Sequence, residues 1–63
     1  MEEVVLERDE IEAMSLHHIE NLEQKKAARK MGISQPTFAR IIERAYKKVA
    51  QGIIFGKAIK LEE

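Results

Sequence analysis

Gln35 and Arg40 stand five residues apart, followed at short intervals by Glu43, Arg44, Lys47 and Lys48. The Gln35 amide offers a donor and an acceptor side by side, the arrangement that meets adenine in the major groove, and the Arg40 guanidinium offers the double-donor fork that fits guanine. With Pro36, Ala39 and Glu43, these two form the candidate base-reading set. Ser34, Thr37, Arg44 and Lys47, with Lys25 and Lys26 upstream, have the chemistry of phosphate contacts, which orient a protein on a duplex without reading it. The competing interpretation is a solvated helix face rich in Lys and Arg.

The distribution of charge bears on that choice. Formal net charge is zero over 63 residues, yet from Gln24 to Lys60 ten cations (Lys25, Lys26, Arg29, Lys30, Arg40, Arg44, Lys47, Lys48, Lys57 and Lys60) face Glu43 alone, a balance of +9. Met1 to Glu23 carries eight acids and Arg8, or −7, and Glu62 and Glu63 supply the other −2. Asymmetry of this kind points to a nucleic acid, less often to an anionic membrane.

Other chemistries find little support. Cysteine is absent, which excludes disulfides and cysteine-based zinc sites. His17 and His18 are helix neighbours that should point apart, one packing and one solvated, so no shared metal is expected. Ser15 has no evident base partner, and the acids of the first helix read as a solvated face; no catalysis and no cofactor are expected. No apolar run approaches the ~20 residues of a membrane span, and the acidic N-terminus does not resemble a signal peptide, so a cytoplasmic location is expected.

The elements that must position these residues are a strand over 3–6, helices over 9–20, 24–31 and 35–55, and a strand over 57–61. Asp9 and Glu12 have capping-box spacing for the first helix, and Asn21, tolerant of the left-handed conformation, is its expected stop. Ala27, Ala28 and Met31 give the second helix a narrow face of small side chains, closed by Gly32. Ser34 is placed to cap the third helix and Pro36 lies in its first turn, where a missing N–H costs nothing. Phe38, Ile41, Ile42, Ala45, Tyr46, Val49 and Ile53 recur with helical period and define its buried face, so Phe38 and Tyr46 are expected to pack rather than stack on bases. Gly52 disfavours the helix by about 1 kcal/mol relative to alanine, but Ile53, Ile54 and Phe55 read as one more turn before Gly56. The whole is mainly α: a three-helix, helix-turn-helix domain with a short β-strand at each terminus.

The break at Lys30-Met31-Gly32-Ile33-Ser34-Gln35-Pro36 is the joint of that unit: two helices joined by a short glycine-containing turn, the second of them entering the major groove. The segment from Glu12 onward, EAMSLHHIENLEQKKAARKMGISQPTFARIIERAYKKVAQGIIFGKAIKLEE, resembles the sigma factor region 4 type of helix-turn-helix. It is still more similar to a poorly characterised family of small prokaryotic predicted DNA-binding proteins that share an EEVVL opening, a GIS or GVS turn and a GKAI-like ending. Members usually carry a further N-terminal segment that this sequence lacks. They tend to have glycine where Asn21 stands, serine where Glu23 stands, and acids where Lys25 and Lys26 stand. Cations in the first turn of a helix oppose its dipole, whereas a helix lying across the DNA backbone gains from them.

The resulting expectation is sequence-specific binding of double-stranded DNA in transcriptional regulation. At ~60% surface burial, a chain of this size is marginal alone, and a homodimer through the terminal strands and Ile53, Ile54 and Phe55 would supply both area and a second half-site. The alternative is an adaptor of region 4-like fold that binds polymerase or another protein through its acidic first helix.

Overall fold

The computed structural model describes residues 2–63. Strand β1 (Glu3–Leu6) leads into helix α1 (Arg8–Met14), which continues as a π-helical turn over Ser15–Ile19; α2 (Gln24–Met31), α3 (Gln35–Phe55) and strand β2 (Ala58–Leu61) follow. The predicted mainly α architecture with a strand at each end is the one observed. No helix is long and apolar enough to cross a membrane among the described residues.

Both inner helix ends follow from their residues. Gly32 caps α2 at φ +70°, and the N–H of Ile33 reaches back to the Ala28 carbonyl at 3.0 Å, which satisfies carbonyls that the helix leaves open. At α3, Ser34 is extended and its Oγ accepts from the Thr37 N–H at 3.2 Å, with Pro36 in the first turn.

The first helix departs from expectation. It starts at Arg8, and its N-cap is Glu7, not Asp9: the Glu7 N–H donates to Glu10 Oε1 at 2.7 Å. Glu10 therefore takes the N3 role in place of Glu12, because β1 delivers the chain to Glu7 already extended. At the other end the Glu20 N–H bonds the Ser15 carbonyl five residues back, at 3.0 Å, the spacing of a π turn. The extra residue brings the His17 and His18 rings to 4.8 Å between centroids, closer than regular helical neighbours were expected to be. Asn21 then takes φ +58° as the stop.

Ala13, Leu16, Ala27, Ala28, Phe38, Ile41 and Ile42 form the core, with Met14, Leu22, Met31 and Ile33 packed around it. The small Ala27 and Ala28 let α2 approach α3, and Phe38 fills the space between the helices with no exposed surface. The apolar stripe of α3 is shorter than its periodicity suggests. Ala45 is buried, but Tyr46 is 41% exposed and Ile53 72%, because α1 and α2 cover only the first half of this 21-residue helix.

β1 and β2 pair with each other, in parallel, with Glu3 opposite Ala58 and Leu6 opposite Leu61; β2 begins one residue later than expected. Gly52 sits inside α3 because β2 crosses there. A Cβ at Gly52 would lie 2.6 Å from Ile59 Cγ1. Replacing Gly52 by Ala gains about 1 kcal/mol of helix propensity and costs about 2 kcal/mol in displacing Ile59. A net loss of about 1 kcal/mol, or about 5 °C in a thermal melt, is the expected result, and a rise in Tm would show that Ile59 moves aside freely.

Candidate nucleic-acid interface

The predicted reading and phosphate-contacting residues lie on α2, the turn and the first half of α3. Gln35, Pro36, Arg40, Glu43 and Lys47 are exposed, Ala39 and Thr37 are half-buried, and Ser34, Lys25 and Lys26 are exposed. On α3, Pro36, Arg40, Glu43 and Lys47 occupy the side opposite Phe38, Ile41, Ile42 and Ala45, so packing this core leaves them outward, with Gln35, Thr37 and Ala39 at its flanks. The Ser34 hydroxyl is occupied at both ends: it accepts from the Thr37 N–H and donates to Thr37 Oγ1 at 2.9 Å. Thr37 consequently keeps its hydroxyl hydrogen for a partner outside the helix, and is the better placed of the two to contact a phosphate.

Arg44 does not stand with the others. Its Nε donates to Glu10 Oε2 at 2.8 Å, and its Nη2 donates to Asp9 Oδ2 at 3.1 Å and lies 3.4 Å from Glu7 Oε2. Lys48 joins the same cluster, 2.8 Å from Glu10 Oε1, and also donates to the Val5 carbonyl at 2.8 Å. The acids that read as a solvated face are therefore the tie between the N-terminal strand, α1 and α3, and Glu10 is fully buried among them. An acid facing i+34 and i+38 leaves no local signal, and only the excess of cations on α3 hinted at a partner. The oxygens of Glu7, Asp9 and Glu10 lie within 4.8 Å of one another, a spacing a metal ion could use; here two cationic side chains already fill it.

Burial, the largest influence on Glu10, would raise its pKa. Hydrogen bonds from Lys48, the Glu7 N–H and Arg44 together outweigh it and hold the carboxyl below its ordinary value. The Arg44 guanidinium is shifted up, first by its hydrogen bond to Glu10.

The remaining cations divide sharply. Lys30 lies 3.8 Å from Glu20, and Lys57 3.4 Å from Glu2. Among the described residues, no carboxylate comes within 4.0 Å of Lys25, Lys26, Arg29, Arg40 or Lys47. The acidic N-terminal third thus draws Arg44 and Lys48 into its own cluster, while five cations on α2 and α3 have no carboxylate beside them.

The histidines flank this surface. His17 Nδ1 donates to the Leu22 carbonyl at 2.8 Å, which fixes its tautomer, and its ring meets Phe38 edge-on at 6.3 Å. His18 is exposed, hydrogen-bonded through Nε2 to the Tyr46 hydroxyl. That partnership explains why Tyr46 stays at the surface rather than packing as its position in the stripe suggested. It is a contact between residues 28 apart, invisible to periodicity.

The sequence is similar to the UPF0251 protein of Desulforudis audaxviator (strain MP104C), with 50% identity over 62 residues, 98% of this chain and 40% of the relative. The UPF0251 protein of Clostridium botulinum (strain Loch Maree / Type A3) is 54% identical over 61 residues, 97% of this chain and 39% of the relative. That of Thermoanaerobacter pseudethanolicus is 47% identical over 62 residues, 98% and 52% respectively. The chain therefore spans from about two fifths to half the length of these relatives. No solved structure matches it. Matched along residues 1–63, the chain belongs to the family described as "Protein of unknown function DUF134".

Proposed function

We propose that this chain binds double-stranded DNA as a helix-turn-helix domain similar to sigma factor region 4, with α3 in the major groove and α2 across the backbone, in a regulatory rather than a catalytic role. The observation that carries the proposal is the uncompensated set Lys25, Lys26, Arg29, Arg40 and Lys47, held on two helices joined at Gly32, whereas Lys30 of α2 and Arg44 and Lys48 of α3 have carboxylate partners. Cations left unpaired in a protein with abundant acids are a surface shaped for an external anion. Gln35 and Arg40 serve as the reading residues, with Pro36, Ala39 and Glu43 beside them. Phosphates fall to Lys25, Lys26, Thr37, Lys47 and Arg29, and Arg44 is reassigned to the internal cluster. A homodimer would double these contacts and read two half-sites about 34 Å apart.

The adaptor alternative needs an acidic first helix free to dock on another protein. Asp9 and Glu10 of that helix, and Glu7 just before it, are already paired with Arg44 and Lys48, which favours the DNA reading.

A salt titration tests it. With about six phosphates neutralised, log K for a duplex falls against log salt with a slope of about −5. A slope near zero would sink the proposal.

A further inference from the structure

β1 and β2 make a parallel sheet of two four-residue strands, an arrangement with little stability on its own. The phase of its ladder fixes which main-chain groups face outward. Ala58 N–H donates to the Glu2 carbonyl at 3.0 Å and Glu62 N–H to the Leu6 carbonyl at 2.9 Å. Ala58, Lys60 and Glu62 therefore spend their groups on β1, and Ile59 and Leu61 turn theirs to the outside. On β1 the outward residues are Glu3 and Val5, and there the Val5 carbonyl is capped by Lys48 Nζ, a common way of blunting an edge.

β2 has no such guard. Among the described residues nothing bonds the N–H or C=O of Ile59 and Leu61. Their side chains are 42% and 55% exposed, and Ile53, Ile54 and Phe55 are exposed on the adjoining turn of α3. The open stretch ends at Glu63, whose carbonyl is held by Arg8. An edge with free main-chain groups and apolar side chains is a template for another strand.

From its charge pattern we infer that this strand is β2 of a second copy, paired antiparallel about a two-fold axis at Leu61. Across such a pair, residues with outward groups stand opposite one another and exchange hydrogen bonds, and the residues between them stand opposite one another without any. Centring on Leu61 sets Lys60 opposite Glu62 of the second copy, twice, and Leu61 opposite its own counterpart. Centring on Lys60 would oppose two ammonium groups, and centring on Glu62 two carboxylates. Centring on Ile59 sets Lys60 opposite Ala58 and forms no ion pair. The chosen register joins the two sheets into one of four strands in the order β1-β2-β2-β1. With ~1.5 Å of rise per residue, Gln35 lies about 25 Å from Gly52 along each α3, so the association leaves both reading ends free. This surface serves the DNA reading without resting on it.

The test is sedimentation of the chain without DNA, beside a circular dichroism check of folding. The expected mass is twice 7.3 kDa. Lys60→Glu or Glu62→Lys turns both attractive pairs into repulsive ones and weakens association about tenfold; neither residue forms an intrachain ion pair, so folding should be unchanged. The double variant K60E/E62K restores the wild-type constant. A mass of 7.3 kDa at millimolar concentration overturns the proposal. So does indifference to the single reversals, or failure of the double variant to recover. None of these outcomes depends on whether the chain binds DNA.

Discussion

Glu10→Gln is expected to destabilise this chain by about 3 kcal/mol, the usual cost of breaking a buried charge cluster by removing one member. Glu10 is the only fully buried charged residue among those described, and it accepts from Arg44, Lys48 and the Glu7 N–H. A glutamine keeps the volume, but only its oxygen can accept; its NH₂ must face one of the two cations donor to donor. For a domain of this size the loss corresponds to a fall of about 15 °C in Tm, a large share of the total stability expected for a small domain. Arg44→Ala and Lys48→Ala should cost less, about 1–2 kcal/mol each, because Glu10 keeps its other partners. Equal Tm values for Glu10→Gln and wild type would mean that the cluster is incidental to the fold.

The same residue gives the chain a specific dependence on pH. The folded pKa of Glu10 lies below its ordinary value, so the unfolded chain binds more protons in the acid range, and stability rises with pH there. The contribution is complete above the unfolded value, about 4.3, and is lost as pH falls through the lower, folded one. Wild-type Tm should therefore drop steeply below about pH 4, and Glu10→Gln, having no carboxyl to protonate, should lose that part of the slope. Arg44 is shifted upward and stays charged throughout this window. It adds no slope of its own.

The C-terminal end of the second helix, both ends of the third and the joint at Gly32 were legible because their causes are local: a glycine that accepts positive φ, a serine one position before a helix start, a proline in the first turn. Phe38, Ile41 and Ile42 were legible as core because period alone places them opposite the polar face. What escaped were effects of tertiary contact. Glu10 looks like any first-turn acid until α3 brings Arg44 and Lys48 to it. Tyr46 falls on the apolar stripe, yet the π turn carries His18 to its hydroxyl. Gly52 was legible as helix interior from the apolar turn that follows it, but the reason for a glycine there, the space Ile59 takes where a Cβ would lie, was not. In the candidate interface, exposure of Arg40 and Lys26 followed from the pattern, but the loss of Arg44 to internal pairing did not. Side-chain type and period cannot tell a cation that is free from one that is already spent.

That difference between free and spent cations gives the second large effect. Arg40→Ala is expected to cost about 1–3 kcal/mol on a preferred duplex, roughly 10- to 100-fold in affinity, and to flatten preference at one base pair, since a bidentate fork is lost. Lys26→Ala should weaken all duplexes alike and make the salt slope shallower by about 1. Arg44→Ala is the control that tests the reassignment. Half-exposed and tied to three carboxylates, it should change stability more than affinity, and leave the salt slope where it was. Binding to a pool of random duplexes, followed by titration of the selected site with each variant, measures all three. Uniform loss across sequences for Arg40→Ala would move the reading role to Gln35 or Glu43. A shallower slope for Arg44→Ala would show that its guanidinium leaves Glu10 when DNA arrives.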